Sequence, residues 1–232
     1  MDIWIKFGIL IVVSYLLGSV PLSYIVARTR GIDLRKQGSQ QVGGGNLWRT
    51  TSRTLGVLVG LFDFIKGALM VLIAWWLGLD AGLQLVVGLA AIVGHNWPIF
   101  LRFHGGRGIA TSLGIMIILP FLNMNEITIW PLVVFWGVGI ASLAIVRRTP
   151  VPLLLGLVLL PIVSACVREP LAVTLGYVAM VLIIVIKRLV AQPSNEQRQV
   201  SLGYLLLNRL LFDRDVRYRK DWVHRKHIEK KE

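Results

Sequence analysis

Acid, thiol and charge are all scarce in this sequence. The chain has 12 aspartates and glutamates against 25 lysines and arginines, and charged residues make up only 16% of its 232 positions. A soluble domain of this length carries about 25% charged residues. The one cysteine, Cys166, sits inside an apolar run, so it forms no internal disulfide and implies no metal site. A Ser/His/Asp nucleophile set, a Cys/His metal cluster and a Walker-type phosphate loop are all missing, as are fixed-period repeats and low-complexity segments. These absences argue against a disulfide scaffold, a metalloenzyme and a covalent serine or cysteine catalyst. No metal and no cofactor is expected.

Long apolar runs are present instead, and 55% of the chain is hydrophobic. A run of about 18 or more apolar residues reads as a membrane-spanning helix, because roughly 20 residues cover the hydrocarbon core. Seven candidate spans stand out, at 3–26, 55–78, 83–101, 109–122, 127–146, 151–167 and 171–187. The fourth is short and reads as a broken or partly buried helix. The sixth opens at Pro152 and contains Pro161, which predicts a kink. The first is too long for a signal-peptide core and lacks a basic start and a small-residue cleavage site. The expected fold is an all-α, polytopic integral membrane protein of about seven transmembrane helices with cytoplasmic glycine-rich loops. It divides into a membrane domain over 1–190 and a basic tail over 191–232.

A formal net charge of +13 in a soluble protein would suggest nucleic acid. Here the cations flank apolar runs, so membrane orientation and anionic headgroups or substrates explain them, and no nucleic-acid partner is expected. In alternate loops one side receives Arg28, Arg30, Arg35, Lys36, Arg49, Arg53, Arg102, Arg107, Arg147 and Arg148, and the tail from Lys187 adds twelve more. The other side has only Lys6 and Arg168. The positive side should face the cytoplasm, with Met1 outside and Glu232 inside. After Pro193 the tail sets Leu202, Leu205, Leu206, Leu210 and Phe212 among arginines. That pattern suits either an amphipathic helix on the inner leaflet or a solvated, partly disordered tail.

Two polar segments on the predicted cytoplasmic side carry the chemistry. In the first, Gly38 to Gly45, four glycines and Ser39 fall within eight residues, followed by Asn46 and Arg49. Converging backbone N–H groups there can cradle a phosphate, and a guanidinium supplies a fork suited to its oxygens. The bland alternative is a flexible linker. In the second, Gly94 to Thr111, the glycines Gly105, Gly106 and Gly108 surround Arg107 just before an apolar run. A helix starting there favours an anion at its amino end. His95 and His104 are either acid–base groups or hydrogen-bonded structural histidines. Gly38, Gly43 and Gly106 are expected where a Cβ would not be tolerated, and Arg102 is expected to meet headgroups. Asp63 and Lys66, three residues apart inside the second span, can pair on one helical face. They read as structural support; a proton pathway would need acids within other spans.

Together these segments resemble the bacterial acyl-phosphate:glycerol-3-phosphate acyltransferases of the PlsY type. The resemblance runs over residues 14–114 through Leu17-Gly18-Ser19-Val20-Pro21, the Gly38–Arg49 loop, Asp63-Phe64-Ile65-Lys66-Gly67 and Gly94–Thr111, with Ser142-Leu143-Ala144 as a remnant of a third motif. It implies seven spans, an external amino end, a site at the inner leaflet of the bacterial plasma membrane, and acyl transfer from acyl phosphate to glycerol 3-phosphate in phospholipid biosynthesis. The product is lysophosphatidic acid, and membrane lipids are the surrounding partners. The matching positions imply that Ser39, Arg49 and Arg107 are catalytic. Gly38, Gly43, Asn46, His95, Gly105, Gly106 and Gly108 would bind substrate phosphate or shape its loop. The chain departs from the family pattern at Gln41, where Asn is usual, and at Arg107, where Lys is usual. It departs again at Ile186–Pro193, which lacks the usual His and Asn. That last departure leaves a second reading, a non-catalytic or altered-acceptor relative that binds a phosphorylated lipid. A transporter would need more polar residues on mid-membrane faces than this chain has.

Overall fold

The computed structural model describes residues 2–146, 150–190 and 201–215. Among these residues the regular structure is entirely helical. The first apolar run is not one straight helix. It forms α1 (Ile3–Ser19) and α2 (Leu22–Arg28), divided at Val20 and Pro21. Pro21 has no N–H to give the preceding turn, and its ring crowds the carbonyl behind it. A short α3 (Gly44–Thr50) then precedes α4 (Arg53–Trp76) and α5 (Ala81–Asn96). After a single 3-10 turn at Ile99–Leu101 come α6 (Ile109–Leu122), α7 (Trp130–Val146), α8 (Pro150–Cys166) and α9 (Leu171–Leu189). Pro161 lies inside α8 without ending it. A final helix, α10 (Leu202–Phe212), belongs to the tail.

Every expected apolar run contains a helix, but length does not make all of them spans. Ile3–Arg28, Arg53–Trp76, Ala81–Leu101 and Leu171–Leu189 are long and apolar enough to cross a membrane. Those in the fourth, fifth and sixth runs are shorter apolar helices. The expected count of seven is therefore not established by length. The short α6 is packed inside: Thr111, Ser112, Gly114, Ile115, Met116 and Leu119 are all buried.

Helices in lipid gain no hydrophobic drive from meeting each other, so close backbone approach at small residues takes its place. Two crossings show this. Gly18 of α1 lies on the Ala91 backbone of α5, and Gly94 of α5 lies on the backbone of Tyr15 and Ser19. In the same way Gly67 of α4 meets Thr111, and Gly114 of α6 meets the Phe64 carbonyl and Ala68. Around these pairs the core gathers Val71, Leu85, Ile92, Ile115 and Met116, and α9 adds Val173, Met180 and Ile184. At one end of the bundle Gln84 and Asn123 exchange side-chain hydrogen bonds of 3.1 and 2.8 Å. Glu169 there accepts from the Thr128 N–H and hydroxyl. The other end, where α1, α5 and α9 finish and α4 and α6 begin, carries the basic loops.

A valine at position 114 would place its Cβ in the Phe64 carbonyl. Overpacking of this kind costs about 1–3 kcal/mol, sometimes more. Gly114→Val is expected to lower the melting temperature of the detergent-purified protein by several degrees or to prevent its recovery. Gly8→Val, in α1 with open space around it, is expected to melt as wild type does. Equal melting of the two variants would contradict the close crossing.

Candidate active site

The first glycine-rich loop is shaped by one buried amide. Asn46, on the first turn of α3, accepts from the Ser39 N–H at 3.0 Å through Oδ1. Its Nδ2 lies within hydrogen-bond distance of the carbonyls of Leu34 (3.2 Å), Gln37 (3.0 Å) and Gln41 (3.1 Å). These bonds satisfy backbone groups the loop cannot pair by itself. They also draw the chain into a curl that only glycine suits at its tightest point. Gly38 has φ +60°, and a Cβ there would strike Asn46 and Thr50. Ser39 is buried by the curl, and its hydroxyl accepts from Arg49 Nη2 at 3.2 Å. Gly43 differs from expectation. Its backbone is extended (φ −167°) with open space at the Cβ position, so nothing there demands glycine.

The second loop folds against the end of α5. The Gly106 N–H donates to the His95 carbonyl at 3.0 Å. A Cβ on Gly106 would meet the His95 ring and the Val42 carbonyl, while one on Gly105 would meet the His95 and Asn96 carbonyls. Gly108, in the left-handed region at φ +71°, caps α6. Arg107 is thereby presented one residue before the cap, as the sequence leads one to expect.

Arg107 is gripped from three elements. Nη1 donates to the Lys187 carbonyl at the end of α9 (2.8 Å). With the Gln41 amide turned so that both its ends are satisfied, its oxygen accepts from Nη2 at 2.7 Å and Nε at 3.1 Å. The third partner, Asp213, sits just past α10, its Oδ1 3.1 Å from Nε. Burial pulls the arginine's pKa below its usual value, against the opposing pull of Asp213 and Asp215. Burial pushes the Asp213 carboxyl up, against Arg107, Arg188, Arg214 and Arg49. Arg49 contributes only the weakest of these pulls, and it hydrogen-bonds the Ser39 hydroxyl.

Arg107, Ser39, Gln41, Gly105 and Lys187 line a cavity of about 260 Å³ open at the basic end. Arg49 reaches it through the Ser39 hydroxyl instead of forming its wall. Arg102 also lines it.

Asp63, Lys66 and His95 form a separate cluster beneath. Lys66 Nζ lies 2.8 Å from Asp63 Oδ1, 2.9 Å from the Gly18 carbonyl and 2.9 Å from His95 Nδ1. An ammonium has three protons, enough for all three partners when His95 Nδ1 is unprotonated; Asp63 Oδ1 also lies 3.3 Å from that nitrogen. On this pairing His95 accepts at Nδ1 and carries its own proton on Nε2, on the side facing Gly106. His95 is thus a partner of the support pair and lies outside the larger cavity's lining, which bears on its expected role in phosphate binding. Sequence reasoning missed Lys187, Gln41 and Asp213 as site residues. Lys187 donates to the Asn96 carbonyl and lies over the Trp97 ring at 5.1 Å. The signal for it was position: it stands in the stretch where the usual His and Asn are missing.

The sequence model of glycerol-3-phosphate acyltransferase matches residues 8–198. The chain belongs to the glycerol-3-phosphate acyltransferase family. Glycerol-3-phosphate acyltransferase 4 of Dehalococcoides mccartyi (strain CBDB1) is 39% identical over 226 residues, covering 94% of each chain. The enzyme of Geobacter sulfurreducens is 37% identical over 179 residues, 76% of this chain and 88% of that one. The crystal structure of PlsY (YgiH), an integral membrane glycerol 3-phosphate acyltransferase in its glycerol 3-phosphate form, is similar at a TM-score of 0.71. It has 26% identity, with 92% of this chain and 96% of that chain covered. Its lysophosphatidic acid form matches at a TM-score of 0.63. This acyltransferase is accordingly an integral membrane protein.

Gly38→Val and Gly106→Val are expected to abolish glycerol 3-phosphate binding, measured by calorimetry in detergent, while membrane insertion persists. Gly43→Ala is expected to bind within about threefold of wild type, since its backbone is ordinary and a methyl has room. Wild-type binding by the first two variants would reduce both loops to linkers.

Proposed function

We propose that this chain transfers a fatty acyl group from acyl phosphate to the 1-hydroxyl of glycerol 3-phosphate, releasing lysophosphatidic acid and inorganic phosphate at the cytoplasmic face of the bacterial inner membrane. The observation that carries the reading is the convergence of Ser39, with Arg49 on its hydroxyl, and Arg107 at one cavity on the basic end. Both substrates bear phosphate, and this end of the bundle offers guanidinium groups, an ammonium and loop N–H groups. The named forms of the PlsY relative, glycerol 3-phosphate and lysophosphatidic acid, are an acceptor and a product of this reaction class.

In the proposed reaction the acceptor hydroxyl attacks the acyl carbonyl carbon, a new ester C–O bond forms, and the C–O bond to phosphate breaks. The hydroxyl proton goes to the departing phosphate. The cations hold the two phosphates close and stabilise charge on the carbonyl oxygen and the leaving group. Donors aimed at developing charge are worth about 2.7–4 kcal/mol each. Serine 39 serves as a donor and an Arg49 anchor here, with no covalent intermediate. The membrane domain over 1–190 carries Ser39, Arg49 and Arg107.

Purified wild-type protein given both substrates is expected to release phosphate and lysophosphatidic acid. Arg49→Ala and Arg107→Ala should each lower kcat/KM by about 10²–10³-fold. The double variant should lose less than the product of the two, because both act on one anionic assembly. Arg107→Lys should keep partial activity, since charge survives while the fork is lost. Arg30→Ala, at an exposed position, is the control and should match wild type. No phosphate release with any of several acceptors tried would favour a binding-only relative.

Orientation is tested separately. In a Cys166→Ser background, Lys36→Cys should react with an impermeant thiol reagent only after the membrane is opened, and Arg168→Cys should react in intact cells. The reverse pattern would invert the topology.

A further inference from the structure

The tail helix does not drift away from the membrane bundle. Arg188, buried on the last turn of α9, donates from Nη1 to the Leu210 carbonyl at 3.0 Å. Arg209 of α10 donates from Nη1 back to the Leu189 carbonyl at 2.7 Å. Its Nε pairs with Asp215 at 2.7 Å, which fixes the turn that follows the helix. These bonds cap carbonyls at the ends of both helices, where no intrahelical partner is available. At the end of α10 Asp213 adopts the left-handed region (φ +56°), which aspartate tolerates better than most residues. That reversal brings its carboxylate to Arg107, and Arg188 Nε lies 4.0 Å from the same oxygen.

The guanidinium has five N–H groups. Gln41 takes one on Nη2 and the one on Nε, the Lys187 carbonyl takes one on Nη1, and Asp213 Oδ1 pairs with Nε by charge at 3.1 Å without accepting a hydrogen bond. Among the described residues this leaves one N–H on each terminal nitrogen, the pair suited to a bidentate phosphate. Asp215 is the other acid whose charge reaches Arg107, which Lys187, Arg188 and Arg209 surround with like charge. Without a carboxylate, Arg107 would be pushed away from Lys187 and Arg188 by like charge. The match to the family's sequence model ends at residue 198, and Asp213 lies beyond it.

We propose that the segment 201–215 is part of the acyltransferase site and that Asp213 is a positioning residue. Its carboxylate holds the Nε edge of Arg107 so that the terminal edge meets a substrate phosphate. This rests on the acyltransferase reading above. Asp213 touches no reacting atom; it acts through Arg107. Gln41, Arg107 and Asp213 then form one unit, in which the long amide and the tail carboxylate serve a guanidinium.

The test is a set of full-length variants in detergent, read by KM and kcat for glycerol 3-phosphate and by the melting shift that inorganic phosphate produces, which needs no turnover. Asp213→Asn is expected to raise KM at least tenfold with kcat changed less than threefold, and to abolish the phosphate-induced shift. Asp213→Glu should recover most of both. In an Arg107→Ala background Asp213→Asn should add less than twofold. Wild-type KM and phosphate response in Asp213→Asn would overturn the proposal. So would a lowered KM, which would mark Asp213 as a competitor of substrate, or full additivity with Arg107→Ala. Should Asp213→Asn give no folded protein, Asp213→Ser is judged by the same limits. Absence of turnover in wild type would sink the acyltransferase reading alone, because the phosphate response of the variants still decides the role of Asp213.

Discussion

A lysine ammonium set among apolar helices must find an acceptor for each of its protons, and Lys66 finds them on three different elements. Asp63 lies one turn away on its own helix, the Gly18 carbonyl closes α1, and His95 stands near the end of α5. A bare charge there would cost several kcal/mol, so the middle of α4 and the ends of α1 and α5 are bound to one arrangement. His95 in turn backs Gly106, and Gly106 precedes Arg107. The position of the arginine at the cavity thus depends, through a short chain of contacts, on how one buried charge is satisfied.

That dependence explains why two kinds of glycine occur here. Those at the α1–α5 and α4–α6 crossings bring backbones together and set the distance between helices. Gly38, Gly106 and Gly108 serve the loops, where the chain must turn sharply or pass close beneath a ring. Both kinds crowd the basic end, where helix approach and loop curvature have to agree within a fraction of a side chain's width. The opposite end has its own close approach, Gly82 of α5 against Ala172 of α9, beside the Gln84–Asn123 and Thr128–Glu169 side-chain bonds.

Much of this was legible in the sequence, for identifiable reasons. Apolar runs gave the helices because their residues have few other solutions in lipid, and α6 falls where its run does. The loop arginines were visible because glycine and arginine together are scarce in apolar chains. The crossing status of the shorter helices was not legible, since an apolar residue facing lipid and one facing a core look alike in composition. The break at Pro21 was passed over because hydropathy continues across it. Gly43 was grouped with its neighbours because sequence shows a glycine but not its φ. Gln41, Lys187 and Asp213 escaped because their roles arise from long-range meetings: Asp213 is more than a hundred residues from the arginine it faces. A lone acid in a basic tail carries no pattern that points to a partner.

Asn46 has a consequence of a different kind. Its one amide joins four backbone groups between Leu34 and Gln41, so the curl exists before any ligand arrives. Ordering a free residue costs about 1–2 kcal/mol, and a glycine-rich stretch has more freedom to lose than most. Folding has already met that entropic cost. Under the proposed reaction, a phosphate arriving at the loop meets a preorganised receptor, and its binding energy remains available for aligning the reacting groups.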